Sequence, residues 1–127
     1  MQSFKGIHRM QITCVKFTPD GTKLVSAACD NHIKVIDVKT GNILQDIEHG
    51  DLLISPSISK FALSPDGKFI VIGGHSGSIF IFNLENGELE ELYDDEHGTG
   101  VFGLDWAPGT QSTVATMDRS GLLYLWS

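Results

Sequence analysis

Short runs of β-branched and aromatic residues alternate along this chain with turns rich in Pro, Asp, Asn and Gly. Runs of about five such residues between turn signals are typical of β-strands. Steps such as Pro19–Gly21 favour tight hairpins, because proline presets φ and glycine accepts a positive φ. In the first part of the chain the pattern therefore predicts strands at about 12–17, 23–28, 33–37 and 42–47.

The same pattern returns twice further along the chain. The runs that end at Phe17, Leu63 and Trp106 are each followed by a turn that contains proline. A period of about 40–45 residues with several short strands per unit is typical of the blades of a β-propeller. The sequence therefore predicts an all-β chain whose repeat units span about 2–37, 42–83 and 88–127.

The two ends of the chain have different positions in this pattern. The segment 2–5 is predicted as an outer strand that precedes the first unit, and 122–126 as a third strand with no fourth strand after it. An open arc of three units would expose apolar faces and unpaired strand edges, which favour pairing with another chain. The partners that we expect there are the remaining blades of a propeller or a second copy of the chain.

Two short motifs carry a resemblance to a known family. His8 and His97 each stand four residues before a predicted strand, and the third strand of each unit ends in a degenerate pair: Ile36-Asp37, Phe82-Asn83 and Trp126-Ser127. This arrangement resembles the WD40-repeat family, in which a Gly-His pair precedes the first strand and a Trp-Asp pair ends the third. The resemblance implies three four-stranded antiparallel units, which together form part of a propeller.

The family resemblance also implies a buried polar network within each unit. In the first unit His8, Ser26 and Asp30 stand at the matching positions, and Ile36 replaces the tryptophan. In the third unit His97 and Trp126 are the expected members, with Ser120 at the position of the aspartate. The second unit has Ser76 at that position and no histidine four residues before Ile58.

Within the family, the chain resembles a branch that acts in autophagy. The residues that carry this resemblance include the stretch 17–26 and the Lys-Val-Ile-Asp form of the Trp-Asp motif at 34–37. It implies a non-catalytic scaffold for protein–protein interaction, which helps direct the lipid-conjugation machinery of autophagy to membranes. The alternatives are a scaffold subunit of another cytoplasmic complex, or purely architectural blades with no binding site of their own.

Charge narrows the range of partners. The chain has 127 residues and a net charge of −7, with 9 Lys and Arg against 16 Asp and Glu. A nucleic-acid binder needs a basic surface, so we expect other proteins or peptides as partners and no nucleic acid. The acids concentrate in one run, which is either a solvated strand edge or an acidic patch for a basic partner. The candidate patch consists of Glu88, Glu90, Glu91, Asp94, Asp95 and Glu96.

Loops that are held by a rigid scaffold often carry binding residues. The candidate protein-binding residues in the predicted loops are His8, Asp30, Asn31, Ser76, Tyr93 and His97. Buried structural roles compete with binding for three of them: His8, Asp30 and His97.

The sequence contains no recognisable catalytic motif. It has no His-Glu-x-x-His pattern and no clustered Cys and His residues, so we expect no enzyme activity, no metal and no cofactor. The glycine-rich stretch 73–78 lacks the spacing of a phosphate loop or nucleophile elbow and is interpreted as a hairpin turn. Without a signal peptide or a long apolar run, we expect a cytoplasmic protein with no direct membrane insertion, recruited to autophagic membranes through its partners.

Overall fold

The structure is a computed structural model that describes residues 1, 3–55, 60–93, 100–109, 113–118 and 120–126. Three antiparallel sheets make up the described part of the chain. Sheet 1 consists of β1 (Ile12–Phe17), β2 (Lys23–Ala28), β3 (Ile33–Asp37) and β4 (Ile43–Ile47). Sheet 2 consists of β5 (Phe61–Leu63), β6 (Phe69–Gly73), β7 (Ile79–Asn83) and β8 (Leu89–Tyr93). Sheet 3 consists of β9 (Val101–Trp106), β10 (Val114–Asp118) and β11 (Leu123–Trp126).

The strand pattern agrees closely with the prediction in the first unit, where only the start of the fourth strand differs, by one residue. The prediction of an outer strand at the start of the chain is wrong for Ser3–Lys5, which form no strand. No described strand pairs with these residues, and an extended segment needs a partner strand to become part of a sheet. Sheet 3 has three strands among the described residues, whereas sheets 1 and 2 have four.

The first hairpins of sheets 1 and 2 close in the same way. Gly21 and Gly67 both have a φ of 74°, which glycine adopts without steric cost. The hydroxyl of Thr18 donates to Asp20 at 2.7 Å, and the hydroxyl of Ser64 donates to Asp66 at 2.6 Å. Hydrogen bonds from the backbone N–H of Thr22 and from the Thr18 hydroxyl lower the pKa of Asp20 to about 2. The proline turns that the sequence predicts are therefore stabilised by carboxylates that accept several local donors.

The sheets stack face against face, and each interface is an apolar cluster. Val25, Ile33 and Val35 of sheet 1 pack in one cluster with residues of sheet 2 such as Ile70 and Phe80. A second cluster lies between sheets 2 and 3 and includes Ala62, Val71, Ile79, Val101, Trp106 and Val114. Because strands of sheet 2 present apolar residues to both sides, this sheet is buried on two faces, as expected from its continuous apolar runs.

Candidate functional site

A buried polar network connects the segment before β1 to the hairpin between β2 and β3. Nε2 of His8 lies 2.7 Å from the Ser26 hydroxyl, and Nδ1 lies 3.1 Å from Oδ2 of Asp30. Because a carboxylate can only accept, Nδ1 carries the proton and Nε2 accepts from the hydroxyl. The His8 and Asp30 side chains are only 1% and 8% exposed. The structure thus brings together the three residues that the sequence places in the network of the first unit.

Asp30 is the acceptor at the centre of this network. Burial acts to raise its pKa, but hydrogen bonds from the backbone N–H groups of Arg9 and His32 and from His8 outweigh burial, so the pKa lies below its usual value. Both backbone donors lie 3.1 Å from the carboxylate. The ionised carboxylate therefore holds the entry segment of β1 against the tip of the β2–β3 hairpin.

Asn31 fixes the connection from sheet 1 to sheet 2. Its φ is 66°, a value that few residues other than glycine adopt and that asparagine tolerates. Its side-chain oxygen accepts a hydrogen bond of 2.8 Å from the backbone N–H of Ile54. The side chain that the sequence places among the binding candidates is thus engaged within the chain.

Sheet 3 builds its polar contacts from different residues. The indole N–H of Trp126 donates to the Thr116 hydroxyl at 2.8 Å, and Thr116 occupies the register position that Ser26 has in sheet 1. The buried carboxylate is that of Asp118, which accepts from the backbone N–H of Ser120 at 2.8 Å. The sequence places Ser120 at the aspartate position, whereas the carboxylate comes from two residues earlier. His97 lies outside the described residues.

Thr116 and Asp118 are not among the candidates predicted from the sequence, although the sequence contains a signal for them. Polar residues at alternate positions of the otherwise apolar strand β10 share one face of the strand. Both side chains are buried, and a buried polar group needs a partner. This alternation indicates an internal network in sheet 3.

Sheet 2 has no network of the same kind among its described residues. The position of Ser26 is taken by Ile72, which is fully buried in the core. Ser76 is exposed, and its hydroxyl lies 3.4 Å from that of Ser78. The ring of His49, in the segment that enters sheet 2, lies 5.5 Å from the ring of Phe80. The position of Ser26 is thus apolar in sheet 2, and the His49 ring contacts an aromatic side chain.

Three of the six acidic candidates lie at the outer edge of sheet 2. Glu88, Glu90 and Glu91 are exposed, and Asp94, Asp95 and Glu96 lie outside the described residues. The hydroxyl of Tyr93 donates to Glu91, and this hydrogen bond, with burial and the charge of Glu91, raises the pKa of Tyr93. The Tyr93 ring packs at 4.5 Å against Trp126 of sheet 3. Tyr93 thus links the acidic edge to the interface between sheets.

A second group of charges on sheet 1 was not found from the sequence. His32 contacts Asp46 through Nδ1 at 2.6 Å and Glu48 through Nε2 at 3.2 Å. The ammonium of Lys34 donates to the backbone oxygen of Ile7 at 2.6 Å. These residues come from three separate segments, so their proximity depends on the register of β3 against β4.

The described side chains include no cluster of three or more His, Cys, Asp or Glu residues suited to a metal ion. Among the same residues, no helix has the length and apolar character needed to cross a bilayer. The candidate site consists of polar and charged side chains on the hairpins and outer strands of the sheets.

Comparison with known proteins supports this description. The family model described as WD domain, G-beta repeat matches residues 2–37 and 48–83. The mouse protein Atg16l2 is 28% identical over 91% of this chain, and autophagy-related protein 16 of Arabidopsis thaliana is 22% identical over 94%. The chain spans about a fifth of the length of these relatives, 18% and 23% respectively.

Proteins outside the autophagy group also match this chain. U3 small nucleolar RNA-associated protein 13 of Saccharomyces cerevisiae is 30% identical over 70% of this chain, which spans 10% of its length. The crystal structure of RRP9 WD40 repeats matches 96% of this chain and 40% of that chain, with 26% identity and a TM-score of 0.75. The three sheets and their mutual arrangement are therefore those of WD40 propeller blades.

Proposed function

Because the chain belongs to the WD40-repeat family, a family of scaffolds for protein interaction, we propose that it serves as such a scaffold in autophagy. The observation that carries the proposal is the similarity to autophagy-related protein 16, which extends over nine-tenths of the chain. In this role the chain helps direct the lipid-conjugation machinery to membranes. It acts in the cytoplasm, binds other proteins or peptides and catalyses no reaction.

The geometry is consistent with a rigid recognition surface. Asp30 and Asn31 hold the β2–β3 hairpin against neighbouring segments, so the loops that flank it are ordered before any partner binds. A preorganised surface loses less conformational entropy on binding. Exposed residues at this end of sheets 1 and 2 include Met10, Leu53, His75 and Ser76.

A segment exchange tests the autophagy proposal. The aligned part of Arabidopsis autophagy-related protein 16 is replaced by this chain, and the chimera is expressed in plants that lack the native protein. We expect the chimera to restore autophagic turnover to at least half of the native level. The control chimera carries the matching segment of the potato guanine nucleotide-binding protein subunit beta, which is 30% identical to this chain.

Both chimeras must accumulate to equal levels for the comparison to count. Equal restoration by the two chimeras would show that any WD40 segment suffices, and the chain would then be an architectural element. Failure of this chain's chimera alone would overturn the autophagy proposal and favour a scaffold role in another complex. The U3 small nucleolar RNA-associated relative makes an RNA-containing complex the first one to test, against the expectation from the net charge of −7.

The acidic edge of sheet 2 gives a second test. Glu88, Glu90 and Glu91 are replaced together by lysine in the first chimera. The triple variant should capture the lipid-conjugation complex about tenfold more weakly, because exposed ion pairs contribute ~0.2–1 kcal/mol each. The control is Glu85→Lys, an exposed glutamate on the turn before β8. Capture is measured by quantitative pull-down at two salt concentrations. Unchanged capture by the triple variant would show that this edge is a solvated surface with no part in binding.

A further inference from the structure

The turn between β7 and β8 contains an asparagine followed by a glycine. Of the four asparagines in the sequence, Asn86 alone precedes a glycine, and its side chain is exposed. The backbone nitrogen of a residue can attack Cγ of a preceding asparagine and close a five-membered ring. A side chain on the attacking residue obstructs this ring closure, whereas glycine has no Cβ. The reaction is therefore least hindered at Asn86.

A hydrogen bond within the turn prepares the amide of Asn86 for attack. Its Oδ1 accepts from the backbone N–H of Glu88 at 2.9 Å. This donor folds the side chain back along the chain and polarises its C=O bond, so that Cγ is more electrophilic. The same N–H lies where negative charge develops when Cγ is attacked, and a donor in that place stabilises the intermediate.

A second hydrogen bond in the turn opposes the reaction. The backbone N–H of Gly87, which must lose its proton before the attack, donates to the backbone oxygen of Asn83 at 2.8 Å. This bond lies at the outer edge of sheet 2, beside the exposed residues Glu85 and Asn86. Exposed turns of this kind open locally at low cost, while the strands beside them stay paired. The bond therefore slows the reaction without preventing it.

The internal repeat shows that the turn itself does not require an asparagine. In the turn between β3 and β4, Gly41 has a φ of 77°, as Gly87 does, and its N–H donates to the backbone oxygen of Asp37 at 2.7 Å. Thr40 takes the place of the asparagine, and its hydroxyl accepts from the backbone N–H of Asn42 at 3.2 Å. Threonine thus provides the same acceptor without a carbonyl group that can be attacked.

The Asp-Gly pairs that begin at Asp20 and Asp66 are the competing positions for the same ring closure. A carboxyl group reacts in its protonated form, because an ionised carboxylate is a poor electrophile. The backbone N–H of Thr22 lowers the pKa of Asp20 to about 2, and the Ser64 hydroxyl lowers the pKa of Asp66. Both groups are therefore ionised near neutral pH, whereas the amide of Asn86 is uncharged.

We propose that Asn86 is a site of spontaneous modification in the folded chain. Hydroxide removes the proton of the Gly87 nitrogen, which forms a bond to Cγ of Asn86. The bond from Cγ to the side-chain nitrogen breaks, and this nitrogen takes a proton from water and leaves as ammonia. One water molecule then opens the resulting succinimide at either carbonyl, which yields isoaspartate or aspartate. No electrons are transferred, and the net change is the replacement of the amide NH2 by a hydroxyl group.

The modified turn loses its contact with sheet 1. Gly87 lies against β4 so closely that a Cβ on it would be 2.9 Å from Oε1 of Gln45. Nε2 of Gln45 donates to the backbone oxygen of Glu85 at 2.7 Å. Isoaspartate lengthens the main chain by one methylene group, and this contact has no room for a longer turn. The new carboxylate also adds negative charge beside Glu85 and Glu88, which are both exposed.

Peptide mass spectrometry of the folded chain tests the site. The purified chain is incubated near neutral pH and one pH unit higher, and fragmentation distinguishes isoaspartate from aspartate. Asn86 should react at least about tenfold faster than Asn42, a barrier difference of about 1.4 kcal/mol, because Asn42 is also exposed but precedes the β-branched Ile43. The rate should increase with pH, and isoaspartate should be among the products. Asn86→Thr, which copies the turn of sheet 1, should keep the fold and remain unmodified in this turn.

Urea unfolding of the incubated chains tests the structural consequence. The incubated wild type should contain a fraction that unfolds at lower urea than the fresh chain, and incubated Asn86→Thr should contain no such fraction. Asn86→Asp introduces the charge without the longer main chain. It should unfold close to the fresh wild type, since the lengthened turn causes most of the loss.

Several results would overturn the proposal. Equal rates at Asn86 and Asn42 would show that the glycine gives no advantage. Modification of Asn86 in urea but not in the folded chain would show that the hydrogen bond of Gly87 protects the turn. Aspartate without isoaspartate would exclude the ring intermediate, and an unchanged urea transition of the modified chain would exclude the loss of contact with β4. The reaction involves only this chain and water, so each result is independent of the proposed function.

Discussion

Replacing Gly73 by alanine should destabilise the chain by about 3 kcal/mol, at the upper end of the cost of overpacking a core. A Cβ at Gly73 would lie 2.5 Å from Cβ of Val101, and two carbon atoms that are not bonded cannot approach so closely. Val101 is fully buried at the start of β9, so it cannot move away without separating sheet 3 from sheet 2. In thermal unfolding, the midpoint should fall by about 10 °C for a chain of this size.

Gly50→Ala is the matched control for this substitution. Gly50 has nothing within 4 Å of the position of a Cβ, so its replacement should change the free energy of unfolding by less than about 0.5 kcal/mol. Val101→Ala combined with Gly73→Ala should recover little of the loss, since it removes the Cγ atoms of Val101 but keeps its Cβ, the nearest atom at 2.5 Å. All variants are compared at one protein concentration, because binding between folded molecules would shift the midpoint with concentration. Equal midpoints for Gly73→Ala and Gly50→Ala would contradict the close approach of sheets 2 and 3.

Asp30→Ala should cost about 2–3 kcal/mol, because it leaves the backbone N–H groups of Arg9 and His32 and the ring of His8 without their acceptor. Hydrogen bonds to a charged group contribute ~1.5–3 kcal/mol, and buried donors without a partner are costly. Urea unfolding provides the measurement. The matched control is Asp51→Ala, an exposed aspartate in the loop before sheet 2, which should have almost no effect.

The same carboxylate gives the chain a defined response to acid. Its folded pKa lies below the ordinary value, so its contribution is complete above the pKa of the unfolded chain, about 4, and is lost as the pH falls through the folded value. The stability difference between the wild type and Asp30→Asn should therefore shrink between pH 6 and pH 3. The pKa values of Asp20 and Asp66 are also lowered, but both residues are present in both proteins. Their contributions to the pH dependence of stability therefore cancel in the difference. A difference that stays constant with pH would show that Asp30 acts through its shape alone.

The strands could be predicted from the sequence because the turn chemistry and the apolar runs agree in this chain. Pro19–Gly21 and the run 23–28 indicate the same hairpin, and the structure has it at the predicted residues. The segment 2–5 has an apolar and polar pattern similar to that of a strand, but a strand also requires a neighbour. That requirement depends on which segments are present beside it, and local sequence does not contain this information.

The polar contacts were harder to predict for a related reason. His8, Ser26 and Asp30 could be placed by resemblance to the family, whereas Asp118 replaces a carboxylate that the pattern places at position 120. The contact of Asn31 with Ile54 joins the β2–β3 hairpin to the connection between sheets 1 and 2, and depends on how that connection folds back. The charged group around His32 depends on strand register, because a slip of one residue would turn the side chains of a strand to the opposite face of the sheet.

The stacking of the sheets also determines how a loss of stability in one sheet affects the others. Sheet 2 has an apolar cluster on each side, whereas sheets 1 and 3 share one cluster each with it. In such a linear array the total stability is approximately a sum of the intrinsic terms of each unit and the coupling between nearest neighbours. The end units have half the coupling of the central one, so thermal fluctuations open the array from its ends. Slowly exchanging backbone amides then concentrate in β6 and β7, and damage to one end unit reaches the other only through the central one.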